Sequence, residues 1–252
     1  MFLPPASVPS WAALLAVVAA FYVGESVLLL HCNEGVLLAG GGRRWKLAFG
    51  MSALAMAGRN LFVPNPLLPH RPLFRLAWQF DRVPDQAGTP AEGRPDWDAL
   101  VLALRPLGWL VVTLALEQLA LFPAALYLGM SDQRLLLLLL AVYATIGAAL
   151  LWIWRRRTSL GLARPALASL ALEALLCPPF AINLVRNLGL RLGAAQDLVA
   201  VARRLQTAED WRATQACLLA QLDEQLALTE PDDPRLGALQ QCREGLQCSI
   251  TK

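Results

Sequence analysis

The chain has 252 residues, of which 56% are hydrophobic and 16% are charged. Soluble domains average about 25% charged residues, so this chain has fewer charged residues than an ordinary soluble domain. The first question is therefore whether it crosses a lipid bilayer. The formal net charge of +3 decides little, because in a membrane protein the placement of positive residues carries the information.

Three segments are predicted to span a membrane, since each offers the run of about 20 mostly apolar residues that a span needs. They are Ser10–His31, with Glu25 inside it, Pro106–Leu128, with Glu117 inside it, and the uncharged Leu135–Trp154. We therefore predict a mainly α-helical integral membrane protein with transmembrane helices in 1–32, 106–128 and 135–154. The first Lys or Arg is Arg43, and a secretory signal needs a positive start, so we expect the first helix to be retained.

The stretch LHCNEGVLLAGGGRRW, Leu30–Trp45, follows the first predicted span. His31, Cys32, Glu34 and the distant His70 could offer nitrogen, sulfur and oxygen ligands to a metal, but no pair has a spacing such as CxxC or HExxH. Gly35 and Gly40 have the spacing of a phosphate-binding Walker A loop, but glycines follow them where that loop has a lysine and a hydroxyl residue. We expect a hairpin turn here, and no metal or other cofactor.

Residues 33–66 are predicted to form a small β-containing element at the cytoplasmic face of the membrane. Apolar and polar residues alternate along Arg44–Phe49, which is typical of a half-buried strand. Val36–Ala39 can pair with that strand across the three glycines, and Asn60–Val63 is a third candidate strand. The following segment, 67–105, is rich in proline and is predicted to be an extended linker.

The distribution of positive charge predicts the orientation, because Lys and Arg near the ends of spans favour the cytoplasm. Residues 1–42 contain neither, whereas three arginines follow the last predicted span. We expect the N-terminus outside, 33–105 and the C-terminal part inside, and a plasma (bacterial inner) membrane. Phospholipid headgroups, and not nucleic acid, are the expected partners of Arg43, Arg44, Lys46, Arg155, Arg156 and Arg157.

Residues 160–192 are apolar but are interrupted by Arg164, Glu173 and Arg186. Pro178 and Pro179 should break a helix there. We predict an interfacial or re-entrant helix at about 165–177 followed by a second short helix, with a fourth span as the alternative.

Residues 193–252 are predicted to form a cytoplasmic helical hairpin. One face of its long helix carries the candidate partner-binding residues Trp211, Leu218, Leu222 and Leu226 at helical period. Asp233 before Pro234 suits the start of a last helix. The oligomeric state does not follow from the sequence.

The carboxyl groups of Glu25, Glu117 and Glu173 are the sharpest functional signal, because an acid inside a membrane usually faces a partner, a cavity or water. With only two histidines in the chain, catalytic Cys-His or Ser-His-Asp arrangements are not expected. The favoured hypothesis is a non-catalytic membrane-anchored subunit or scaffold that presents cytoplasmic surfaces to a protein partner. The alternative is a transporter component or membrane enzyme that handles an ionic or lipid-like substrate through the three glutamates.

Overall fold

The computed structural model describes residues 10–31, 33–39, 45–49, 51–56, 59–78, 96–193, 197–230, 232–233 and 236–248. The chain is mostly helical with a small sheet element, and it divides into two compact units. We call them the helical unit, which comprises Met1–Leu28, Val63–Pro72 and Leu102–Leu188, and the mixed unit, which comprises Leu29–Phe62, Leu73–Val101 and Gly189–Lys252.

Most helices before residue 193 contribute to the helical unit. They are α1 (Ser10–Ser26), α2 (Trp97–Leu116), a π-helical turn (Glu117–Leu121), α3 (Phe122–Tyr127), α4 (Asp132–Arg156), α5 (Arg164–Leu176), α6 (Pro178–Ala181) and α7 (Leu184–Gly193). Two stretches, Trp97–Tyr127 and Asp132–Arg156, are long and apolar enough to cross a membrane. They contain the third span predicted from the sequence and all of the second except Leu128.

The first predicted span is shorter than expected. Helix α1 has 17 residues, which gives a length of about 25 Å at 1.5 Å per residue, less than the hydrocarbon core of about 30 Å. The apolar run continues after Ser26, but Leu28–Leu30 form a β-strand. The prediction of a helix through His31 is therefore wrong at its C-terminal end, because a leucine run suits a buried strand as well as a helix.

The π-helical turn interrupts the long helix where a proline follows. Phe122 N–H donates to the carbonyl of Glu117, five residues earlier, and Pro123 has no N–H to donate to the next carbonyl. Helix α3 ends at Tyr127, and Gly129, two residues later, has a φ of 64° that suits glycine. Its N–H donates to Leu126 O and that of Met130 to Ala125 O, and this pair of bonds closes the helix end before α4.

The segment 160–192 folds as a broken helix. Helix α5 ends at Leu176, and Cys177 separates it from the two prolines, which begin α6. A helix at about 165–177 followed by a short second helix is what the sequence predicts. Leu167, Leu170 and Ala174 of α5 are buried, whereas Leu172, Leu175 and Leu176 are exposed.

The described residues contain two three-stranded sheets. The strands are β1 (Leu28–Leu30), β2 (Glu34–Ala39), β3 (Trp45–Ala48), β4 (Met51–Met56), β5 (Arg59–Phe62) and β6 (Leu73–Ala77). Their order is β1-β5-β4 in one sheet and β3-β2-β6 in the other. Strands β2 and β3 are antiparallel with Val36 opposite Ala48, so the pairing predicted from the sequence is confirmed, although the glycines 40–42 lie outside the described residues.

The predicted linker at 67–105 contains regular structure at both ends. Leu73–Ala77 pairs with β2 as strand β6, and α2 begins at Trp97, before the predicted residue 106. Both differences have the same cause: Phe74 and Trp97 pack their rings together, with centroids 4.7 Å apart, and this tertiary contact outweighs the local proline signal. Residues 79–95 of the linker lie outside the part that the structure describes.

The tail forms α8 (Leu198–Leu205), α9 (Ala208–Leu228) and α10 (Leu236–Cys248). Thr207 caps α9, since its hydroxyl accepts the N–H of Asp210 at 3.2 Å. Leu218, Leu222, Leu239 and Leu246 are buried, and the ion pair of Arg243 with Asp223 joins α10 to α9 at 2.7 Å. The helical pattern predicted for 208–228 is confirmed. Pro234, predicted to begin the last helix, is outside the described residues.

Candidate functional site

Glu117 occupies the first position of the π-helical turn and is buried, with 8% of its surface exposed. The Thr145 hydroxyl of α4 donates to its Oε1 at 3.1 Å. Its Oε2 is buried and has no hydrogen-bond partner among the described residues. Next to it, Gln118 Nε2 donates to the carbonyl of Pro178 at 3.1 Å. The π turn thus aims a carboxyl group, with one oxygen held and one oxygen unbonded, into the interior of the helical unit.

Glu25 and Glu173 form a second acidic group in the helical unit. They lie on α1 and α5 and are half-buried, close enough for the charge of Glu173 to act on Glu25. Ser169 Oγ donates to Glu173 Oε1 at 2.6 Å. The one described side-chain hydrogen bond of Glu117 comes from Thr145 of α4, so the structure brings Glu25 and Glu173 together and places Glu117 in a separate contact.

The most buried charged group among the described residues is one that the sequence analysis did not select as a site. Arg186, in the first turn of α7, is 2% exposed. Its Nη1 donates to Ser26 Oγ at 2.8 Å and to Asn183 Oδ1 at 3.1 Å, and its Nη2 donates to the carbonyl of Asn65 at 2.7 Å. The guanidinium carbon lies 5.6 Å from the ring centre of Tyr22.

The groups around Arg186 are tied to one another. Asn183 Nδ2 donates to the Tyr22 carbonyl at 3.0 Å and Ser26 Oγ donates to the same oxygen at 2.8 Å, while the Tyr22 hydroxyl donates to the carbonyl of Pro66. This network therefore joins α1, α7 and residues 65–66. A signal was present in the sequence: Arg186 interrupts an apolar run, between Leu184–Val185 and Leu188.

Glu34, one of the candidate metal ligands near the end of α1, has its carboxylate bonded to other protein groups. Glu34 Oε2 accepts the N–H of His31 at 2.8 Å and pairs with Arg75. Burial raises the pKa of Glu34, but the hydrogen bonds from Arg75 and His31 outweigh it, so that its pKa lies below the ordinary value. No group of three or more metal-ligating side chains occurs in the described part of the chain. Cys32 lies outside that part, and His70 packs its Cβ near Gly108.

Two of the three predicted headgroup-binding arginines at the C-terminal end of α4 lie over tryptophan rings. Arg155 and Arg156 are exposed and Arg157 is partly exposed. The guanidinium of Arg157 lies 4.3 Å from the ring centre of Trp154, and that of Arg156 lies 5.8 Å from Trp152. Lys46 is exposed on β3, whereas Arg43 and Arg44 are outside the described residues.

Two of the four predicted partner-binding residues of α9 are buried. Leu218 and Leu222 are 1% and 0% exposed, so they are not available to a partner in this conformation. An apolar stripe at helical period also marks the face that a helix buries in its own unit, and the assignment of these residues to a partner stays a prediction. Trp211 and Leu226 keep partly exposed side chains, and the guanidinium of Arg203 lies 5.4 Å from the Trp211 ring.

No family model, curated protein or solved structure matches the chain.

Proposed function

We propose that the chain is an integral membrane protein whose two long apolar stretches, Trp97–Tyr127 and Asp132–Arg156, lie in the bilayer. Only 28% of the most apolar window of Trp97–Tyr127 and 22% of that of Asp132–Arg156 is buried. A core helix of a soluble protein buries most of such a surface, whereas lipid covers it without any protein contact. Exposed apolar side chains along both stretches include Trp109, Leu116, Leu121, Leu137, Leu140 and Leu151.

The arginines at the C-terminal end of α4 support a cytoplasmic location for that end of the helix. Arg155, Arg156 and Arg157 continue directly from an apolar helix that carries Trp152 and Trp154 in its last turns. Tryptophan concentrates at membrane interfaces, and arginine favours the cytoplasmic side. The segments after residue 155 are then cytoplasmic. Helix α5 is an interfacial or re-entrant helix, and its exposed residues Leu172, Leu175 and Leu176 contact lipid.

Within the membrane, the proposed role is to bind an ionic or lipid-like substrate through buried polar groups. The observation that carries this role is the state of Glu117, whose Oε1 is held by Thr145 while the buried Oε2 has no described partner. Single π-helical turns are frequent at functional sites. A carboxyl group held this way is able to take up a proton, a cation or a donor group of a substrate at Oε2.

Membrane insertion is tested by one substitution on an exposed face of α4. Leu140 is 56% exposed, so an arginine there would be harmless in a soluble protein. In a bilayer it should cost about 2.5–3.5 kcal/mol, and Leu140→Arg should sharply reduce the amount of chain recovered in the membrane fraction. The matched control is Leu228→Arg in the tail, at 74% exposure, which should change nothing. Equal recovery of both variants would contradict the insertion of α4.

The role of Glu117 is tested by stability together with chemical reactivity. If Glu117 serves a substrate, Glu117→Gln should leave the thermal unfolding midpoint in detergent unchanged or raised, because function and stability compete at such sites. In wild-type membranes an apolar carbodiimide, which attacks protonated carboxyl groups, should modify Glu117 and spare the exposed Glu209. A lowered midpoint and an unreactive Glu117 would instead assign it a structural contact with Thr145.

A non-catalytic scaffold is the second candidate, and the observation in its favour is the mixed unit. That unit is compact by itself and has its own sheet and tail helices, so it is a folded body that membrane helices would anchor. A native mass measurement in nanodiscs discriminates the two roles. A stoichiometric foreign protein supports the scaffold, whereas several copies of this chain alone support the substrate-handling role.

A further inference from the structure

Arg186 is a buried cation that is surrounded by neutral groups. Its three described acceptors are a hydroxyl, a side-chain amide oxygen and a backbone carbonyl, and its Nε is buried without a hydrogen-bond partner. Within the described ranges, none of its contacts is with a carboxylate. Neutral acceptors do not balance a charge removed from water, and buried charges in proteins are paired or bound to ions of opposite sign.

Further positive charge accumulates at the same place. Arg186 lies in the first turn of α7, where the helix dipole favours an anion. His70 lies near enough to feel the charge of Arg186 as well as that of its neighbour Arg71: burial first, and then these two cations, lower the pKa of His70. Two features of the helical unit, the N-terminal end of α7 and the nearby Arg71, therefore add positive potential to that of the Arg186 guanidinium.

We propose that Arg186 binds the phosphate group of a ligand, which is either a phospholipid headgroup or a small phosphate ester. A guanidinium presents parallel N–H donors to a phosphate, and the pair is strong because both groups are charged. The unbonded Nε–H, together with a neighbouring Nη N–H, is the edge that such an oxyanion uses. One phosphate thus supplies both the missing acceptor and the missing negative charge.

The guanidinium of Arg186 contacts an exposed turn, and this turn is the side from which a phosphate would approach it. Asn65, Pro66 and Leu67 are exposed, and the carbonyls of Asn65 and Pro66 accept from Arg186 and Tyr22 directly beneath. Asn65 Oδ1 accepts the N–H of Leu67 at 2.9 Å, so the turn is held by its own side chain.

This inference goes beyond the proposed function, because it uses none of the three membrane glutamates and stands if the role of Glu117 fails. In the sequence, Arg186 stood out only as one of the charged residues that interrupt the apolar segment 160–192. Its burial and its neutral surroundings distinguish it from Arg155 and Arg156, which are exposed.

The test uses the purified full chain in a phosphate-free maltoside detergent. Inorganic phosphate and a short-chain phosphatidic acid are added separately, against chloride of equal ionic strength and against the corresponding diacylglycerol. A ligand that binds the folded state raises the thermal unfolding midpoint. A rise with inorganic phosphate identifies a small phosphate, and a rise with phosphatidic acid alone identifies a lipid headgroup. The proposal is overturned if neither ligand raises the wild-type midpoint, or if diacylglycerol raises it equally.

Three variants assign the effect to Arg186. Arg186→Gln should abolish the rise, and Arg186→Lys, which keeps the charge and loses the Nε–H edge, should bind about tenfold more weakly. Arg134→Gln, in an exposed position at the start of α4, should respond as the wild type does. If Arg186→Gln does not fold, Arg186→Lys and the wild-type titrations decide. Wild-type affinity in Arg186→Lys and Arg186→Gln would refute the site.

Discussion

The ion pair of Glu34 with Arg75 lies at the junction of β2 and β6. Val36 faces Arg75 in the register of these strands, and Glu34 reaches back along β2 to the guanidinium, which also donates to the Leu29 carbonyl at 3.4 Å. The Glu34 carboxylate is the better covered partner, since 15% of its side chain is exposed against 35% for Arg75. The pair therefore joins the two strands and the start of the mixed unit.

The stability of the mixed unit should depend on pH through Glu34. The folded state holds the pKa of Glu34 below its ordinary value of 4.5. The stabilisation is therefore complete above the unfolded pKa and is lost as the pH falls through the folded pKa. Glu34→Gln should lower the unfolding midpoint at neutral pH and flatten its fall below about pH 5, as measured by thermal unfolding over a pH series.

The matched control for Glu34 is Asp223, whose pair with Arg243 is more exposed at both ends. Asp223→Asn should change the midpoint much less, because exposed pairs contribute about 0–1 kcal/mol. Identical effects of the two substitutions at every pH would show that Glu34 acts as an ordinary surface charge.

Helix α7 and strand β6 approach each other at Gly189 so closely that a side chain does not fit. A Cβ on Gly189 would lie 2.6 Å from Leu73 O and 3.0 Å from Leu73 N, and these are backbone atoms of a paired strand, which cannot rotate away. The glycine is thus required by packing, not by its φ angle.

Gly189→Ala should destabilise the mixed unit by about 1–3 kcal/mol, the usual cost of inserting atoms into a packed contact. The control is Gly237→Ala in α10, where nothing lies within 4 Å of the added Cβ and alanine is the better helix former. Urea titration of both variants in detergent gives the comparison. A Gly189→Ala variant as stable as the wild type would show that α7 and β6 are not in this contact.

At the scale of the whole molecule, sequence patterns predicted the elements whose signal is local. The period of two in residues 44–49 predicted β3, and the uncharged leucine run predicted α4. Strand β1 and the early start of α2 were missed, because tertiary contacts decide whether Leu28–Leu30 extend and whether Trp97 packs on Phe74. The Arg186 network escaped for the same reason: its members come from α1, residues 65–66 and α7, and no spacing in the sequence brings them together.

The sidedness of the proposed membrane hairpin gives a last prediction. The turn that contains Gly129 reverses the chain between α3 and α4, so its exposed residue Ser131 and the end of α4 should lie on opposite sides of a bilayer. The positive-inside rule places Arg155–Arg157 in the cytoplasm and hence Ser131 outside.

Single cysteines at Ser131→Cys and Lys252→Cys, in a chain whose five cysteines have been replaced by serine, report the two sides. A membrane-impermeant maleimide should label position 131 in intact cells and position 252 only after permeabilisation, because each passage of an apolar helix moves the chain across the hydrocarbon once. Labelling of 252 but not 131 in intact cells would invert the orientation and oppose the arginine argument. Labelling of both from outside would require that an odd number of further passages follow α4, which is the fourth span that residues 160–192 offer as the alternative.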